Sequence, residues 1–412
     1  MSEETPVKKA PYIVPIGPIH PALKEPVQFL FDVEGEVVKK ADFAPGQTHR
    51  GIEWMGMRRN PVQIVHLTDR ICGICGVTHS FAFARAVEQI VDIEVPARAE
   101  YIRVIIAELE RVQSHLLWAG VAAHELGFDS LFYLAWKVRE DSMDVIEYIT
   151  GNRVNYGLVQ IGGVRRDVTP DQHPTIHKCL DGYRNLLGKM INLFLHDTTI
   201  SIRCKETGLL SYEMARNLCT VGPTARASGV VKDVRVDYPY SAYGDLDISP
   251  ILPSAYGGEI NGDVYDRIIV RLLEIEQSIG IIETCLKEMP EGAILWESKL
   301  PKLLSACKKA KGEAIGRHEA PRGECLHYVA MDGNEAPAMW KVKASSYSNL
   351  HSWIPMLEGE QLADVPIIVA SIDPCLSCTD RVAVVRGTKR DLLTKEDLHR
   401  LSVEKTRRIQ GC

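Results

Sequence analysis

Four cysteines in two C-x-x-C pairs, Cys72/Cys75 and Cys375/Cys378, are the residues of this chain best equipped for chemistry. The first pair lies in D-R-I-C-G-I-C-G-V-T-H and the second in S-I-D-P-C-L-S-C-T-D-R. Thiolates grouped in this way bind a soft or borderline metal. Taken alone they suit a tetrahedral structural zinc or a cubane iron–sulfur cluster. Their separation by about 300 residues points elsewhere. Closing so long a loop costs about 5 kcal/mol more than closing a one-residue loop, so the whole fold must supply the geometry. A site built that way suits catalysis better than stapling.

The surroundings agree. Asp69 and Arg70 precede the first pair, and Asp373, Asp380 and Arg381 flank the second. His79 lies four residues past Cys75, where a helix would let its imidazole return to a cysteine sulfur. The segment H-E-A-P-R-G-E-C-L-H-Y-V at 318–329 sets Arg322 between a stiffening proline and a glycine. Singly, each charged residue reads as an ordinary surface group. Together, thiolates, a permanent cation and carboxylates suit a centre that handles protons and electrons. The other cysteines, at 179, 204, 219, 285, 307, 325 and 412, are scattered and read as small buried hydrophobes.

The elements that must position these residues have ordinary globular composition, with 412 residues, 45% hydrophobic and 25% charged. A formal net charge of -6 gives no support for a nucleic-acid partner. No apolar run is long enough to cross a bilayer, and the start M-S-E-E-T-P-V-K-K lacks the apolar stretch of a signal peptide. The expected location is the side of the membrane where the chain is made, with freedom to dock on a membrane partner. Eleven cysteines without a secretory signal argue against a disulfide framework.

The expected fold is α+β and predominantly helical, a long-helix bundle with a small N-terminal β-containing unit. Phe29, Phe31 and Val33 alternate with Asp32 and Glu34, Leu30 spoils the pattern, and Glu34-Gly35 suggests a hairpin turn. Thr78 is a candidate cap for a helix through Phe81, Ala84 and Val87. Pro96 opens a long helix carrying Ile102, Ile105, Leu109, Val112 and Leu116. Further helices are expected over about 130–149, ended by Gly151, over 183–198 and over 263–289. The glycine-rich stretches 151–167 and 221–229 lack phosphate-loop and dinucleotide patterns and read as loops whose arginines hold geometry or face a partner. Residues 238–258 read as a surface excursion. Val382–Val385 suggests a strand, and Thr394 a helix cap. The expected division is 1–60 for the N-terminal unit, 61–381 for a helical catalytic core and 382–412 for a C-terminal extension.

With these motifs the chain closely resembles the large, metal-bearing subunit of nickel–iron hydrogenases. The likeness is to the membrane-bound energy-converting branch, related to the respiratory NADH:quinone oxidoreductase. It runs through G-P-I-H-P, H-R-G-I-E, R-I-C-G-I-C-G-V-T-H, A-P-R-G-E and D-P-C-L-S-C-T-D-R, which is essentially the whole length.

The resemblance implies roles position by position. Cys72 and Cys375 would be terminal nickel ligands, and Cys75 and Cys378 would bridge nickel to iron. Accessory metal-insertion proteins would add carbon monoxide and cyanide to the iron. Arg322 would overhang the open side with Asp373 as its orienting partner. Glu25 would take the first proton from a terminal cysteine, and His79 would hydrogen-bond a bridging thiolate. His20 and the His49-Arg50 loop would lie near an inter-subunit face. The implied reaction is reversible reduction of protons to dihydrogen, with reduced ferredoxin as electron source and membrane subunits that translocate ions. The chain would be peripheral, on the cytoplasmic side of the cell membrane. It has no further cysteine cluster, so the iron–sulfur clusters are expected in a small partner subunit. The short start leaves no room for the fused N-terminal domain of formate-hydrogenlyase-type relatives, which favours a ferredoxin- or carbon monoxide-linked architecture. The alternative is a hydrogenase-derived subunit of a quinone- or sulfur-reducing complex without nickel; the four cysteines, Arg322 and Glu25 weigh against it. Many family precursors are trimmed three residues past the last cysteine, here Arg381, so a nickel-dependent maturation protease is expected to remove residues 382–412.

Overall fold

The structure is a computed structural model and describes residues 12–379, 384–386, 389–391 and 395–411. At the amino end β1 (Tyr12–Ile16), β2 (Gln28–Glu34) and β3 (Val37–Ala44) form an antiparallel sheet in that order. Phe29, Phe31 and Val33 point inward, while Leu30 joins Asp32 and Glu34 on the outer side of β2. Leu30 thus breaks the alternation by residue type and obeys it by position. The sheet continues into the C-terminal part of the chain. Val38 N donates to Glu360 O at 2.9 Å and Gly359 N to Val38 O at 2.8 Å, so the segment leading toward Cys375 runs beside β3.

Five long helices follow: α1 (Gly76–Val91), α2 (Ala97–Glu125), α3 (Asp129–Thr150), α4 (His173–His196) and α5 (Val264–Glu288). All the apolar positions expected on α2, from Ile102 to Leu116, are buried, as is the stripe Ile268, Leu272, Ile275, Ile279, Ile282 and Leu286 on α5. The two helices pack against each other at the centre. α3 stops at Gly151, which takes the left-handed conformation at φ 83°. α4 begins at His173 rather than near 183, because Pro174 is tolerated in a first turn and Ile176 and Leu180 extend the buried stripe backward. α1 begins at Gly76, before the expected Thr78 cap, with Cys75 in the capping position.

A second antiparallel sheet, β4 (Lys311–Ala320), β5 (Gly323–Asp332) and β6 (Met339–Lys343), was not expected from the sequence. On β5 the inward positions are Gly323, Cys325, His327, Val329 and Met331, so polar types on the buried face mask the alternation. β4 lies so close to α1 that a Cβ on Gly316 would stand 1.8 Å from the Ala82 carbonyl oxygen. The stretch 238–258 is only partly a surface excursion: Tyr240 and Tyr243 are buried, with Tyr243 Oη donating to Glu108 at 2.6 Å.

Near the carboxyl end Val384–Arg386 pairs with Lys389–Asp391, and α6 (Lys395–Gln410) follows. His399 of α6 stacks on Trp54, with ring centroids 5.4 Å apart. Asp380, Arg381, Val382 and Thr394, on which the expected flanking charges, trimming point, strand start and cap fall, lie outside the described residues. Among the described residues no helix is long and apolar enough to cross a membrane.

Candidate metal centre

The first pair sits on a tight loop that runs into α1. The N–H groups of Ile74 and Cys75 lie 3.3 and 3.4 Å from Cys72 Sγ, the usual way a C-x-x-C loop turns its backbone onto its leading sulfur. Cys75 occupies the N-terminal end of α1, where unsatisfied N–H groups favour negative charge. Those groups are met from another helix: Glu110 of α2 accepts from Val77 N at 2.7 Å, Thr78 N at 2.9 Å and Thr78 Oγ1 at 2.8 Å. Thr78 therefore belongs to the cap as a donor to Glu110, not as the capping residue.

The second pair follows Asp373, which adopts φ 53° just before Pro374. The two pairs meet. Cys375 Sγ lies 3.2 Å from Cys72 Sγ and 2.8 Å from Cys378 Sγ, and Cys75 Sγ lies 3.8 Å from Cys378 Sγ. All four sulfurs fall within 4.8 Å of one another, and all four residues are buried. Hydrogen bonding from Cys375, Cys378 and Cys75 holds Cys72 well below the usual thiol range. A buried set of four sulfur donors fits a soft transition metal and is poorly matched to a hard, oxygen-seeking cation.

Arg322 occupies the two-residue turn that joins β4 to β5 across the Ala320–Gly323 pair. Its Nε donates to the Asp373 carbonyl at 2.7 Å and its Nη2 to Asp373 Oδ1 at 3.0 Å, while Nη1 reaches Ser114 Oγ at 3.3 Å. Burial acts to lower its pKa, yet Asp373 and then Cys75, Cys375 and Cys72 carry it well above the usual range. The turn is fixed from behind. A Cβ on Gly222 would stand 2.4 Å from the Arg322 carbonyl oxygen, and one on Gly323 would stand 2.5 Å from Gly222 N, so both positions require glycine. On α2, Arg111 donates to the Glu319 and Ala320 carbonyls at 2.6 and 3.1 Å. Arg226, from the stretch 221–229, pairs with Glu319 at 2.9 Å and Glu274 at 2.6 Å, so this arginine holds the core rather than a partner.

Glu25 reaches the second pair from the other side. Its carboxylate accepts from the backbone N–H groups of Leu376 and Ser377, the latter at 3.1 Å, and from Ser377 Oγ at 2.8 Å. Ser377 Oγ in turn lies 3.3 Å from Cys375 Sγ. His79 Nε2 lies 3.5 Å from Cys378 Sγ, and burial pushes its pKa down to about 4. His20 accepts from Ala22 N in an exposed turn. His49 and Arg50 line a cleft with Trp54 and His399.

The chain matches the respiratory-chain NADH dehydrogenase 49 kDa subunit family over residues 125–381 and the nickel-dependent hydrogenase family over residues 50–119. It belongs to the nickel–iron hydrogenase and complex I large-subunit family. Similar proteins carry the likeness over nearly the full length. The membrane-bound hydrogenase subunit alpha of Pyrococcus furiosus is 47% identical, over 98% of this chain and 96% of the relative. The carbon monoxide-induced hydrogenase of Rhodospirillum rubrum is 38% identical, over 90% of this chain and 99% of the relative. A chain in the structure of the membrane-bound sulfane sulfur reductase, an archaeal respiratory membrane complex, superposes with a TM-score of 0.84 at 31% identity, covering 92% of this chain and all of that one. The four-sulfur donor set of this hydrogenase-family chain fits the metal that the family implies.

Several residues of the site escape a reading of the sequence. Ser377 sits inside the second motif but carries no charge to mark it. Cys325 and His327 face inward on β5, with Cys325 Sγ 3.6 Å and His327 Nε2 3.0 Å from His79 Nδ1. Arg50, expected only in a loop near an inter-subunit face, donates to the Arg70, Ile71 and Ser377 carbonyls and so spans both cysteine loops. Only the period-two placement of Cys325 and His327 beside A-P-R-G could have pointed to the strand that aims them.

Proposed function

We propose that this chain is the catalytic large subunit of a hydrogenase that interconverts dihydrogen with two protons and two electrons at a nickel–iron centre. The observation behind this reading is the meeting of Cys72, Cys75, Cys375 and Cys378 beside the buried Arg322–Asp373 pair. Cys72 and Cys375 would hold nickel alone, and Cys75 and Cys378 would hold nickel and iron together, with carbon monoxide and cyanide on the iron. Such a centre supplies heterolytic cleavage of dihydrogen and its reverse.

The chain's own groups manage the proton and the field. The Ser377 hydroxyl, donor and acceptor at once, stands between Cys375 Sγ and Glu25 Oε1 at 3.3 and 2.8 Å, so a proton leaving the sulfur has a two-step path to a carboxylate. Arg322 keeps its proton and acts through a fixed positive field in a buried site, and Asp373 sets its direction. Electrons would enter through a small iron–sulfur subunit, with ferredoxin as donor and ion-translocating membrane subunits as the energetic partner. The chain would be peripheral, on the cytoplasmic face. The likeness to the Pyrococcus and Rhodospirillum hydrogenases supports the hydrogenase part of this reading, and the membrane-bound Pyrococcus protein supports the membrane part. Metal insertion followed by proteolysis after Arg381 would complete maturation.

A second reading, a nickel-free subunit of a sulfur- or quinone-reducing complex, is favoured by the structural likeness to the sulfane sulfur reductase chain. Metal analysis with infrared spectroscopy separates the two. Equimolar nickel and iron with bands of iron-bound carbon monoxide and cyanide support the hydrogenase reading. Zinc alone, or no metal, overturns it.

A further inference from the structure

Behind Cys378 three buried rings stand in line, one from each of three elements: His79 on α1, His327 on β5 and Trp340 on β6. Trp340 Nε1 lies 3.2 Å from His327 Nδ1, His327 Nε2 lies 3.0 Å from His79 Nδ1, and His79 Nε2 lies 3.5 Å from Cys378 Sγ. Donor and acceptor roles along this line follow from one fact. An indole N–H donates and never accepts. His327 Nδ1 must therefore offer its lone pair to Trp340, which leaves the ring proton of His327 on Nε2. That N–H points at His79 Nδ1, which must then accept, so the proton of His79 sits on Nε2 and faces the sulfur. Cys325 Sγ, 3.6 Å from the same Nδ1, can donate its S–H there and is compatible with the same arrangement.

We infer that Trp340 and His327 are positioning residues: they fix the tautomer of His79 so that it donates a hydrogen bond to Cys378. A histidine beside a sulfur ligand can present either an N–H or a lone pair to it. The first withdraws charge from the thiolate and the second repels it. Here the choice is made two rings away, by a tryptophan whose N–H is bonded to His327 and not to His79 or the sulfur. The ladder pairs His327 with Val342 and Val329 with Trp340, so the register of β5 on β6 brings the indole over the imidazole. Edge contact with Phe83, at 5.6 Å between centroids, holds the indole in place.

The inference rests on the reading of Cys378 as a ligand of a nickel–iron centre, and its test is built to tell the two apart. The variants are Trp340→Phe, His327→Leu and His327→Gln in the assembled complex. Glutamine can accept from Trp340 through Oε1 and donate to His79 through Nε2, whereas leucine can do neither. Loss of a donor leaves Cys378 more electron-rich, and that charge passes to iron-bound carbon monoxide. Trp340→Phe and His327→Leu are expected to move its infrared band to lower wavenumber at unchanged nickel content, and His327→Gln to restore the wild-type position. Unmoved bands in the first two, or equal shifts in the leucine and glutamine variants, would overturn the relay. If Trp340→Phe fails to fold, the glutamine–leucine comparison decides alone. Wild-type protein without those bands defeats the hydrogenase reading instead. The relay is then decided by long-range nitrogen–proton spectra of the [15N]histidine-labelled full chain: ring protons on Nε2 of both histidines support it, and a proton on His327 Nδ1 refutes it.

Discussion

Arg50 donates to the Ser377 carbonyl at 2.9 Å while it also holds the Arg70 and Ile71 carbonyls. One planar guanidinium thus ties the approach to the first cysteine pair to the interior of the second. Lysine offers a single compact charge in place of a fork and cannot serve three fixed carbonyl directions. Losing one charged hydrogen bond of about 1.5 kcal/mol corresponds to roughly tenfold faster metal release. Arg50→Lys is therefore expected to fold normally but to lose its metal about tenfold faster to a competing chelator. Release at the wild-type rate would show that the two loops hold together without it.

The aim of Arg322 depends on a residue that never touches the sulfurs. Arg111 holds the last two carbonyls of β4 before the turn, and its Nε pairs with buried Glu108 at 3.1 Å. Removing one partner from a buried ion pair costs about 3–5 kcal/mol when nothing else pairs the charge left behind. Glu108 keeps Arg235, so Arg111→Met should lower unfolding stability by up to that amount in urea titration. A loss below about 1 kcal/mol would mean that Arg235, at 3.2 Å from Glu108, compensates alone.

The difference between what the sequence revealed and what it hid follows from burial. α2 and α5 were readable because their apolar residues recur at helical steps. Their polar residues were not: Arg103, Glu108, Glu110, Arg111, Ser114 and His115 are as buried as the isoleucines beside them. A helix surrounded on every side has no solvent face, so a charged residue on it carries no sign of the partner it will meet. The sheet β4–β6 was hidden for a related reason, since glycine, cysteine and histidine stand where strand patterning expects valine or isoleucine. The four cysteines, Arg322, Asp373 and His79 stood out in short, dense motifs, whereas Glu25 came only from the resemblance to the hydrogenase family. That the structure gathers them follows from the register of the second sheet and the pairing of β3 with the segment 358–362, both long-range events.

Glu110 makes the cap of α1 sensitive to pH. Burial raises its pKa from an ordinary 4.5 to about 8, against the lowering effect of its bonds from Thr78 and Val77. Between those values the folded chain holds a proton that the unfolded chain has released. Stability is then greatest below about 4.5 and falls as pH rises toward 8, by an amount on the order of 5 kcal/mol at most. Glu110→Gln keeps an acceptor for the N–H groups and removes the titration. The thermal midpoint of the variant, measured against wild type, is expected to rise steadily from pH 5 to pH 8. A constant difference across that range would mean that Glu110 does not change its protonation on folding.

The Ser377 bridge gives the proton path a test that distinguishes transfer from assembly. Glu25 accepts from two backbone N–H groups as well as from the Ser377 hydroxyl, so it also shapes the loop of the second pair. Glu25→Gln retains an acceptor for those groups and should keep the loop and the metal content. It cannot take up a proton. General acid–base groups contribute about 10²–10⁴-fold, so hydrogen–deuterium exchange catalysed by the complex should fall by about a hundredfold or more. Ser377→Ala removes only the hydroxyl that stands between sulfur and carboxylate. If the proton passes through that hydroxyl, exchange should slow in this variant too, while Ser377→Thr keeps the group and should retain the rate. Exchange unchanged in Glu25→Gln would remove the carboxylate from the path. Exchange lost in Glu25→Gln but intact in Ser377→Ala would route the proton directly from Cys375, or through water, to Glu25.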